Sequence, residues 1–204
     1  MVEPDSVKAV LRPRVGLSKR RSDSASFTRA RLIFPWCCTA GAGQAGPAVD
    51  RQTADVLADG DGWMRCAAGH THWGRFGAAG LLLVAPGPSV LLQHRASWSH
   101  HGDTWGVPGG ARASLESAVE AALREAAEET GLDAAGTTVR AELLDDHGGW
   151  SYTTVLASTP VQLSVHALDR ESTDVRWVEV DAVEVLTLHP GFAATWPELR
   201  SWIS

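Results

Sequence analysis

The stretch GARASLESAVEAALREAAEETGL occupies residues 110–132 and decides the fold of this chain. Glu125, Glu128 and Glu129 fall at positions i, i+3 and i+4, an interval that puts side chains on one face of an α-helix. Like charges at this spacing destabilise a helix, and Arg124 is the only near cation. The acidic residues are therefore expected to form an oxygen-rich cage that suits a hard divalent cation such as Mg²⁺.

The residues around the three glutamates predict a loop–helix–loop. An apolar run at 105–107, followed by Pro108 and two glycines, indicates a strand that ends in a glycine-rich loop. Ser117 and Glu120 fit a capping box, so the helix is expected to start there, and Gly131 is a typical helix stop. A stripe of apolar residues at helical spacing is expected to face a sheet, with the three glutamates off that stripe: Val119, Ala122, Leu123 and Ala126.

The spacing Gly-x5-Glu-x7-Arg-Glu-x2-Glu-Glu-x-Gly-Leu in this stretch resembles the Nudix box of the Nudix hydrolase family, with every fixed position filled. The resemblance implies an α/β fold, namely an α/β/α sandwich with a mixed β-sheet and a loop–helix–loop box. It also implies an enzyme that depends on Mg²⁺, with Mn²⁺ as an alternative, and cleaves a pyrophosphate bond in a nucleotide. Gly110, Glu116 and Arg124 take structural positions of the box, the last two as a salt bridge.

The same resemblance assigns roles to the acidic residues. Glu128 and Glu129 correspond to metal ligands, and Glu125 to a further ligand or to the base that activates water. The carbonyl of Gly109 is expected to complete the metal shell, because a glycine lets the main chain approach an ion closely. Glu171, six residues before Trp177, is the second candidate for the base, and a plain loop carboxylate is the alternative for it.

Candidate substrate-binding residues lie in the segments that flank the box. Arg95 ends a predicted strand, and its planar guanidinium suits a phosphate. Trp150 and Phe192 are expected near the site and are candidates for stacking on a base, as are Trp98 and Trp105; packing in the core or at its rim is the alternative for each aromatic. The polar loop at 97–104 suits a lid over phosphates or an ordinary solvent loop.

The substrate class rests on motifs that this sequence lacks. In the family, a proline about fifteen residues beyond the box accompanies ADP-ribose hydrolysis, and the corresponding position near Asp146 and His147 has none. The motifs of NADH pyrophosphatases and coenzyme A hydrolases are also missing. The sequence therefore favours a (d)NTP or an oxidised dNTP. ADP-ribose or another nucleotide sugar, a non-catalytic nucleotide-sensing regulator and RNA decapping remain as alternatives.

Charge and composition divide the chain into two parts. The 18 basic and 24 acidic residues give a net charge of −6, which does not indicate a general nucleic-acid surface. Residues 1–58 are basic at their start and rich in Arg, Ser, Gly, Ala and Pro, and they are predicted to be a disordered or non-native segment. Residues 59–204 are predicted to form the Nudix domain. No clean signal peptide or membrane-length apolar run is visible, so we expect a cytoplasmic protein without a membrane or stable nucleic-acid partner, which can form a homodimer.

Three cysteines do not suggest a disulfide framework. The spacing Cys66-x3-His70-x-His72 hints at zinc ligands, but a structural zinc site needs four, and no fourth ligand stands at close spacing. The segment is instead predicted to be a loop leading into the domain, with Trp73 packed on the domain and the zinc site as the alternative.

The remaining periodicity predicts the sheet and its helices. Strands are expected at 77–84, 90–95, 139–144, 150–157, 162–167 and 176–180, the first two forming a hairpin through Pro86-Gly87-Pro88. A short helix is expected at 181–184 and another at 193–203. Strands between helices predict layers with helices on both faces of the sheet.

Overall fold

The computed structural model describes residues 59–203. They form a mixed β-sheet with one α-helix on each face. In chain order the elements are β1 (Trp63–Arg65), β2 (Thr71–Trp73), β3 (Ala78–Ala85), β4 (Ser89–Arg95), β5 (Trp105–Gly106), β6 (Gly109–Ala111), α1 (Ala118–Thr130), β7 (Thr138–Asp146), β8 (Ser151–Ser158), β9 (Ser172–Glu179), a 3-10 helix (Val180–Val185) and α2 (Pro190–Ile203). The prediction for residues 1–58 lies outside the described residues.

The main sheet is built around β3. Its strand order is β5-β4-β3-β8-β7, with β6 paired to β3 and β9 paired to β4. The pairing of β3 with β8 is parallel, whereas β3 with β4, β3 with β6, β4 with β9 and β7 with β8 are antiparallel. A separate antiparallel hairpin joins β1 to β2. The predicted mixed sheet is confirmed.

Alternation along β3 sends side chains to two cores. Leu81 and Leu83 pack against α1, and Leu82 packs against α2 together with Trp196 and Leu199. All five side chains are at most 1% exposed. The predicted α/β/α sandwich is therefore the observed fold, and it places α1 directly against the strand that pairs with the glycine-rich segment β6.

Helix α1 lies against the sheet through small side chains. Its buried residues are Ala118, Ala121, Ala122, Ala126, Glu129 and Thr130, whereas the predicted stripe members Val119 and Leu123 are only partly buried at the edge of this core. The prediction that all three glutamates lie off the buried face is wrong for Glu129, which is 7% exposed. Alanines occupy so much of this helix that the sequence did not distinguish its buried side.

Both predicted ends of α1 are present. Ser117 is the N-cap, and its hydroxyl accepts a hydrogen bond from the Glu120 amide at 3.2 Å, while the Glu120 carboxylate accepts one from the Ser117 amide at 2.9 Å. Gly131 ends the helix with φ +67°, and its N–H donates to the Ala127 carbonyl. A left-handed residue at this position favours glycine because it has no Cβ.

The strand predicted at 162–167 is wrong. This segment has no regular secondary structure, and Leu163 and Val165 pack on the α1-side core, which accounts for the alternating pattern. Its backbone groups have partners outside a sheet ladder, since the His166 N–H donates to the Thr130 carbonyl and the Leu163 carbonyl accepts from the Trp177 indole. The alternating pattern thus reflects one buried face of the segment, but its backbone groups do not pair with a neighbouring strand in the described part of the chain.

The loop predicted at residues 66–74 is wrong for residues 71–73, which form β2 and pair with β1, whereas residues 66–70 are the turn of this hairpin. Trp73 is 42% exposed, and its ring makes an edge contact with Trp63 at a centroid distance of 5.2 Å. Within residues 59–203, no helix is both long enough and apolar enough to cross a membrane. The cytoplasmic location stays a prediction.

Replacing Ser117 with alanine is expected to lower the free energy of unfolding by about 1 kcal/mol, because the Glu120 amide loses its side-chain acceptor at the helix start. Urea unfolding of the variant and of wild type measures the difference. Ser97→Ala is the control, since Ser97 is exposed in the loop after β4. Equal losses in the two variants would contradict the capping role.

Candidate active site

Glu129 is a carboxylate buried between α1 and the sheet. Its Oε2 accepts a hydrogen bond from the Gly109 N–H at 2.8 Å, and its Oε1 accepts one from the Gln93 side-chain amide at 3.3 Å. Gln93 is itself held in place, because its Oε1 accepts from the Ser172 hydroxyl at 3.0 Å. Residues of β4, β6 and β9 thus hold the end of α1 through one side chain.

Burial sets the charge state of this part of the site. It raises the pKa of Glu129 to about 8, against the lowering effect of the Gly109 and Gln93 hydrogen bonds. Burial also raises the pKa of Glu125, again against a lowering effect from Arg124. An opposite charge nearby favours the ionised form of a carboxyl group, so a cation bound between these residues would lower the pKa of both.

Glu125 and Glu128 share the guanidinium of Arg124. One nitrogen of that group, Nη1, lies 2.8 Å from Glu125 Oε1 and 3.2 Å from Glu128 Oε2. The Glu125 side chain is 17% exposed, whereas that of Glu128 is 60% exposed. The three predicted ligands therefore run from buried to exposed across the helix. Both oxygens of Glu129 already accept hydrogen bonds, whereas Arg124 contacts one oxygen each of Glu125 and Glu128.

Glu116 and Arg124 form the salt bridge that the resemblance implies. Arg124 Nε and Nη2 donate to Glu116 Oε1 at 2.7 Å and Oε2 at 2.9 Å, and Nη2 also donates to the Ala111 carbonyl at 3.0 Å. The Arg124 hydrogen bond holds the pKa of Glu116 below its ordinary value, and the same pairing raises that of Arg124. This two-pronged pair fixes the loop before α1 against the middle of the helix.

The two glycines of β6 are required by close packing. A Cβ on Gly109 would collide with the backbone of Ala79 and Gly80 in β3, and a Cβ on Gly110 would lie 2.6–2.7 Å from the carboxylate atoms of Glu125. Any larger residue at Gly110 must displace Glu125. From the sequence, Gly109 is explained by the close approach of its main chain to an ion. The structure shows that close packing against β3 also requires a glycine there.

The donor set fits a hard divalent cation. Glu125, Glu128 and Glu129 supply carboxylate oxygens from one helix, and the segment with Gly109 crosses in front of the buried Glu129. Two buried carboxyl groups beside each other repel when both are charged, and Glu125 raises the pKa of Glu129 for this reason. A divalent cation with oxygen ligands would relieve this repulsion.

Glu171 is exposed at the start of β9, and its carbonyl accepts the Ala96 N–H at 2.7 Å. It directly precedes Ser172, the residue that holds Gln93, so its backbone lies near the Glu129 network. The base role of its carboxylate stays a prediction. The nearby Asp169 accepts a hydrogen bond from the Ser172 N–H at 3.0 Å, and its charge contributes to the raised pKa of Glu129.

Arg95 lies where the predicted lid begins. Its Nε donates to the His100 carbonyl at 3.1 Å, which ties the side chain to the 97–104 loop. His101 in that loop contacts His189 at a ring-centroid distance of 4.8 Å, and burial lowers the pKa of His189 to about 4. The charges of Arg95, Glu125 and Glu129 all contribute to the pKa of Tyr152.

The aromatic residues that were candidates for substrate binding lie in different surroundings. Phe192 is 6% exposed and packs on Trp196 in the α2-side core, which matches the core-packing alternative; its contact with a substrate stays a prediction. Trp105 is also core, with Arg176 over its ring at 4.2 Å. Trp150 stacks on His72 at 4.0 Å and also contacts His147 at 5.5 Å, and its contact with a substrate stays a prediction. Trp98 is 66% exposed.

Sequence reasoning missed Gln93, Ser172, Tyr152 and Asp169. Gln93 is 1% exposed in the apolar strand β4, and a lone polar residue in such a strand is a signal, because a buried polar group needs a partner. Tyr152 covers Gly80, and burial together with the charge of Glu129 raises its pKa. Ser172 and Asp169 carry no local pattern that would have singled them out.

Comparison with known proteins points to the same family as the box. A sequence model of the NUDIX domain matches residues 74–199. "Putative 8-oxo-dGTP diphosphatase 3" of Mycobacterium tuberculosis is 50% identical over 72% of this chain and 71% of its own length. A nucleoside triphosphate pyrophosphatase/Nudix hydrolase fusion protein of Bifidobacterium longum is 43% identical over 72% of this chain and 32% of its own length. The crystal structure of the Nudix hydrolase RenU from M. smegmatis is 50% identical, with TM-score 0.62, over 70% of this chain and 94% of that one.

Replacing Glu116 with glutamine is expected to lower the free energy of unfolding by about 1–3 kcal/mol, the usual effect of losing a charge-assisted hydrogen bond away from water. The Glu116 side chain is 9% exposed. Because its folded-state pKa is depressed, its contribution is present above the unfolded-state pKa and is lost as the pH falls through the folded-state value. The difference from wild type should therefore shrink in acid.

Denaturant unfolding across a pH series measures this effect, and Glu184→Gln is the matched control. Glu184 pairs with Arg200 on the surface, where ion pairs contribute little. A Glu116→Gln variant that unfolds like the control at neutral pH would contradict the bracing role.

Proposed function

The chain belongs to the Nudix hydrolase family and is a pyrophosphohydrolase. We propose that it is a Mg²⁺-dependent hydrolase of nucleoside triphosphates, including oxidised deoxynucleoside triphosphates. The observation that carries the proposal is the set of box carboxylates on α1, two of them in the protein interior and one at its surface. Such a graded set can hold a cation and still leave oxygens for reaction.

The metal ions of such a site would supply charge neutralisation on the phosphate oxygens and help to orient an attacking water. Glu125, Glu128, Glu129 and the Gly109 carbonyl are the groups proposed to hold them, with Mn²⁺ as an alternative cation. Gln93 and the Gly109 N–H orient the Glu129 carboxylate from the protein side. This keeps that carboxylate directed at the loop rather than away from it.

Glu125 is the proposed general base. It would take a proton from a water that attacks phosphorus, while the P–O bond to the leaving phosphate group breaks. Burial raises its pKa, and a base works best when its pKa lies closer to the working pH. The Arg124 contact at 2.8 Å fixes its orientation on one oxygen, and Gly110 leaves room for the carboxylate. Glu171 is the second candidate.

Arg95 is proposed to bind phosphate oxygens of the substrate. It lies at the end of β4, and its electrostatic effect reaches Tyr152, on which Glu125 and Glu129 also act. Its guanidinium keeps free donors beyond the one bond to the His100 carbonyl. A bound triphosphate would thereby contact the 97–104 loop through the same arginine, which supports the role of that loop as a lid.

The substrate class rests on two lines of support. The relative from M. tuberculosis is named for 8-oxo-dGTP and is half identical over most of this chain. The sequence also lacks the proline that accompanies ADP-ribose hydrolysis in the family. Hydrolysis of a triphosphate at the α-phosphate would release the nucleoside monophosphate and pyrophosphate.

A substrate panel with Mg²⁺ tests this assignment. Wild-type protein is incubated with dNTPs, 8-oxo-dGTP, ADP-ribose, NADH and dinucleoside polyphosphates, and the products are identified by ion-exchange chromatography. The expected result is the highest kcat/KM with a triphosphate, with monophosphate and pyrophosphate as products. A preference for ADP-ribose would replace the substrate assignment, and nucleotide binding without any hydrolysis would support the sensor alternative.

Replacing Glu125 with glutamine is expected to lower kcat by roughly 10²–10⁴-fold, the usual range for losing a general base. Steady-state kinetics at saturating Mg²⁺ measures the change. Glu142→Gln is the matched control, because it makes the same change of charge at an exposed position of β7. Turnover within a factor of about three of wild type would remove Glu125 from the proton transfer.

A further inference from the structure

Cys66, His70 and His72 lie on one face of the β1–β2 hairpin. The register that pairs Arg65 with Thr71 continues into the turn, where the Cys66 N–H donates to the His70 carbonyl at 2.9 Å. The Gly69 N–H closes the turn onto the Cys66 carbonyl at 2.9 Å, with φ +85°. Cys66 and His70 are thus cross-strand neighbours, and His72 follows on the same side because strand side chains alternate.

His147 reaches this face from the turn between β7 and β8. The turn is tied to the hairpin by a hydrogen bond from the Ala67 N–H to the Gly148 carbonyl at 2.8 Å. The rings of His72 and His147 have centroids 4.7 Å apart. The fold therefore supplies the fourth donor that the local sequence lacks.

We propose that Cys66, His70, His72 and His147 form a structural zinc site. Each residue offers one ligand atom, and these four atoms lie within 4.8 Å of one another. Tetrahedral zinc with bonds of about 2.0–2.3 Å separates its ligand atoms by about 3.3–3.8 Å, so small side-chain rotations complete the site. Thiolate with imidazoles is a donor set that selects zinc over the hard cations of the box.

The surroundings of the four residues match a metal site. His72 Nε2 is buried and has no hydrogen-bond partner in the structure of residues 59–203, and an orphaned buried group of this kind costs free energy. His147 Nε2 pairs with Asp145 Oδ2 at 3.0 Å, which leaves Nδ1 for a metal. Carboxylates commonly orient metal-bound histidines in this way. The Cys66 thiol belongs to a residue only 5% exposed.

The site would stabilise a hairpin that has little core of its own. Its strands have three residues each, and Trp63 and Trp73 are 56% and 42% exposed. Two-stranded hairpins of this size are marginal in water. A metal joined to His147 would fix the hairpin to the main sheet, and a closed set of four protein ligands is typical of a structural rather than a catalytic site.

The hairpin and the segment just before it contact both loops around the box. Asp59 Oδ1 accepts the Ser114 N–H at 2.9 Å in the loop before α1, and Trp63 makes an edge contact with His100 of the 97–104 loop at 5.8 Å. The zinc site would thereby support the position of the box loop and of the lid from outside the active site.

Metal content of the full chain, purified without a histidine tag and in the presence of Mg²⁺, tests the site. We expect about one zinc per chain in wild type and in the control His166→Gln, and a loss of at least about fivefold in Cys66→Ser and His147→Gln. His166 is exposed and lies outside the cluster. Zinc retained equally by all four proteins would overturn the proposal.

Cobalt binding can be measured on the wild-type protein, so this test does not require the variants to fold. Wild-type apoprotein titrated with Co²⁺ should develop the visible bands of tetrahedral cobalt and a thiolate charge-transfer band, neither of which oxygen ligands of the box can give. Cys66→Ser should lose the charge-transfer band. If folded wild-type protein binds neither zinc nor cobalt in tetrahedral geometry, the zinc-site proposal is wrong, whether or not the box is active as a hydrolase.

Discussion

Two carboxyl groups of α1, those of Glu125 and Glu129, lie where the helix meets the sheet, and the rest of the site is arranged to keep them there. Burying an ionisable group costs free energy unless it is paired. Arg124 supplies the charge for Glu125, and the Gly109 N–H and the Gln93 amide supply hydrogen bonds for Glu129. Because Arg124 is also braced by Glu116, the loop, the helix and three strands depend on one set of polar contacts.

The sequence predicted those features that depend on short spacing. The capping box at Ser117 and Glu120, the stop at Gly131 and the strands on either side of Gly87 follow from residues within a few positions of one another, and the structure has them. Glu116 and Arg124 were paired through family resemblance rather than physics. The resemblance also gave the sandwich fold, since local periodicity cannot specify that β3 pairs with β8.

The features that sequence reasoning missed depend on the identity of distant neighbours. Gln93 holds Glu129 across the helix–sheet interface, and no pattern in β4 alone points to a glutamate of α1. Phe192 packs in the α2-side core, and its distance along the chain from the box does not indicate which face of α2 packs inward. The segment at 162–167 alternates like a strand, yet its backbone partners are a helix end and an indole.

The parallel ladder between β3 and β8 runs from the pair Ala78–Tyr152 to the pair Val84–Ser158. Strands β4 to β7 and helix α1 all lie between these partners in the chain, so the central contacts of the domain have a large sequence separation. Topologies of high contact order fold slowly, because the loop must be closed before the contacts form. Before β8 pairs with it, the apolar edge of β3 can associate with other chains. Because this association depends on concentration, dilution during refolding should improve the yield of native protein.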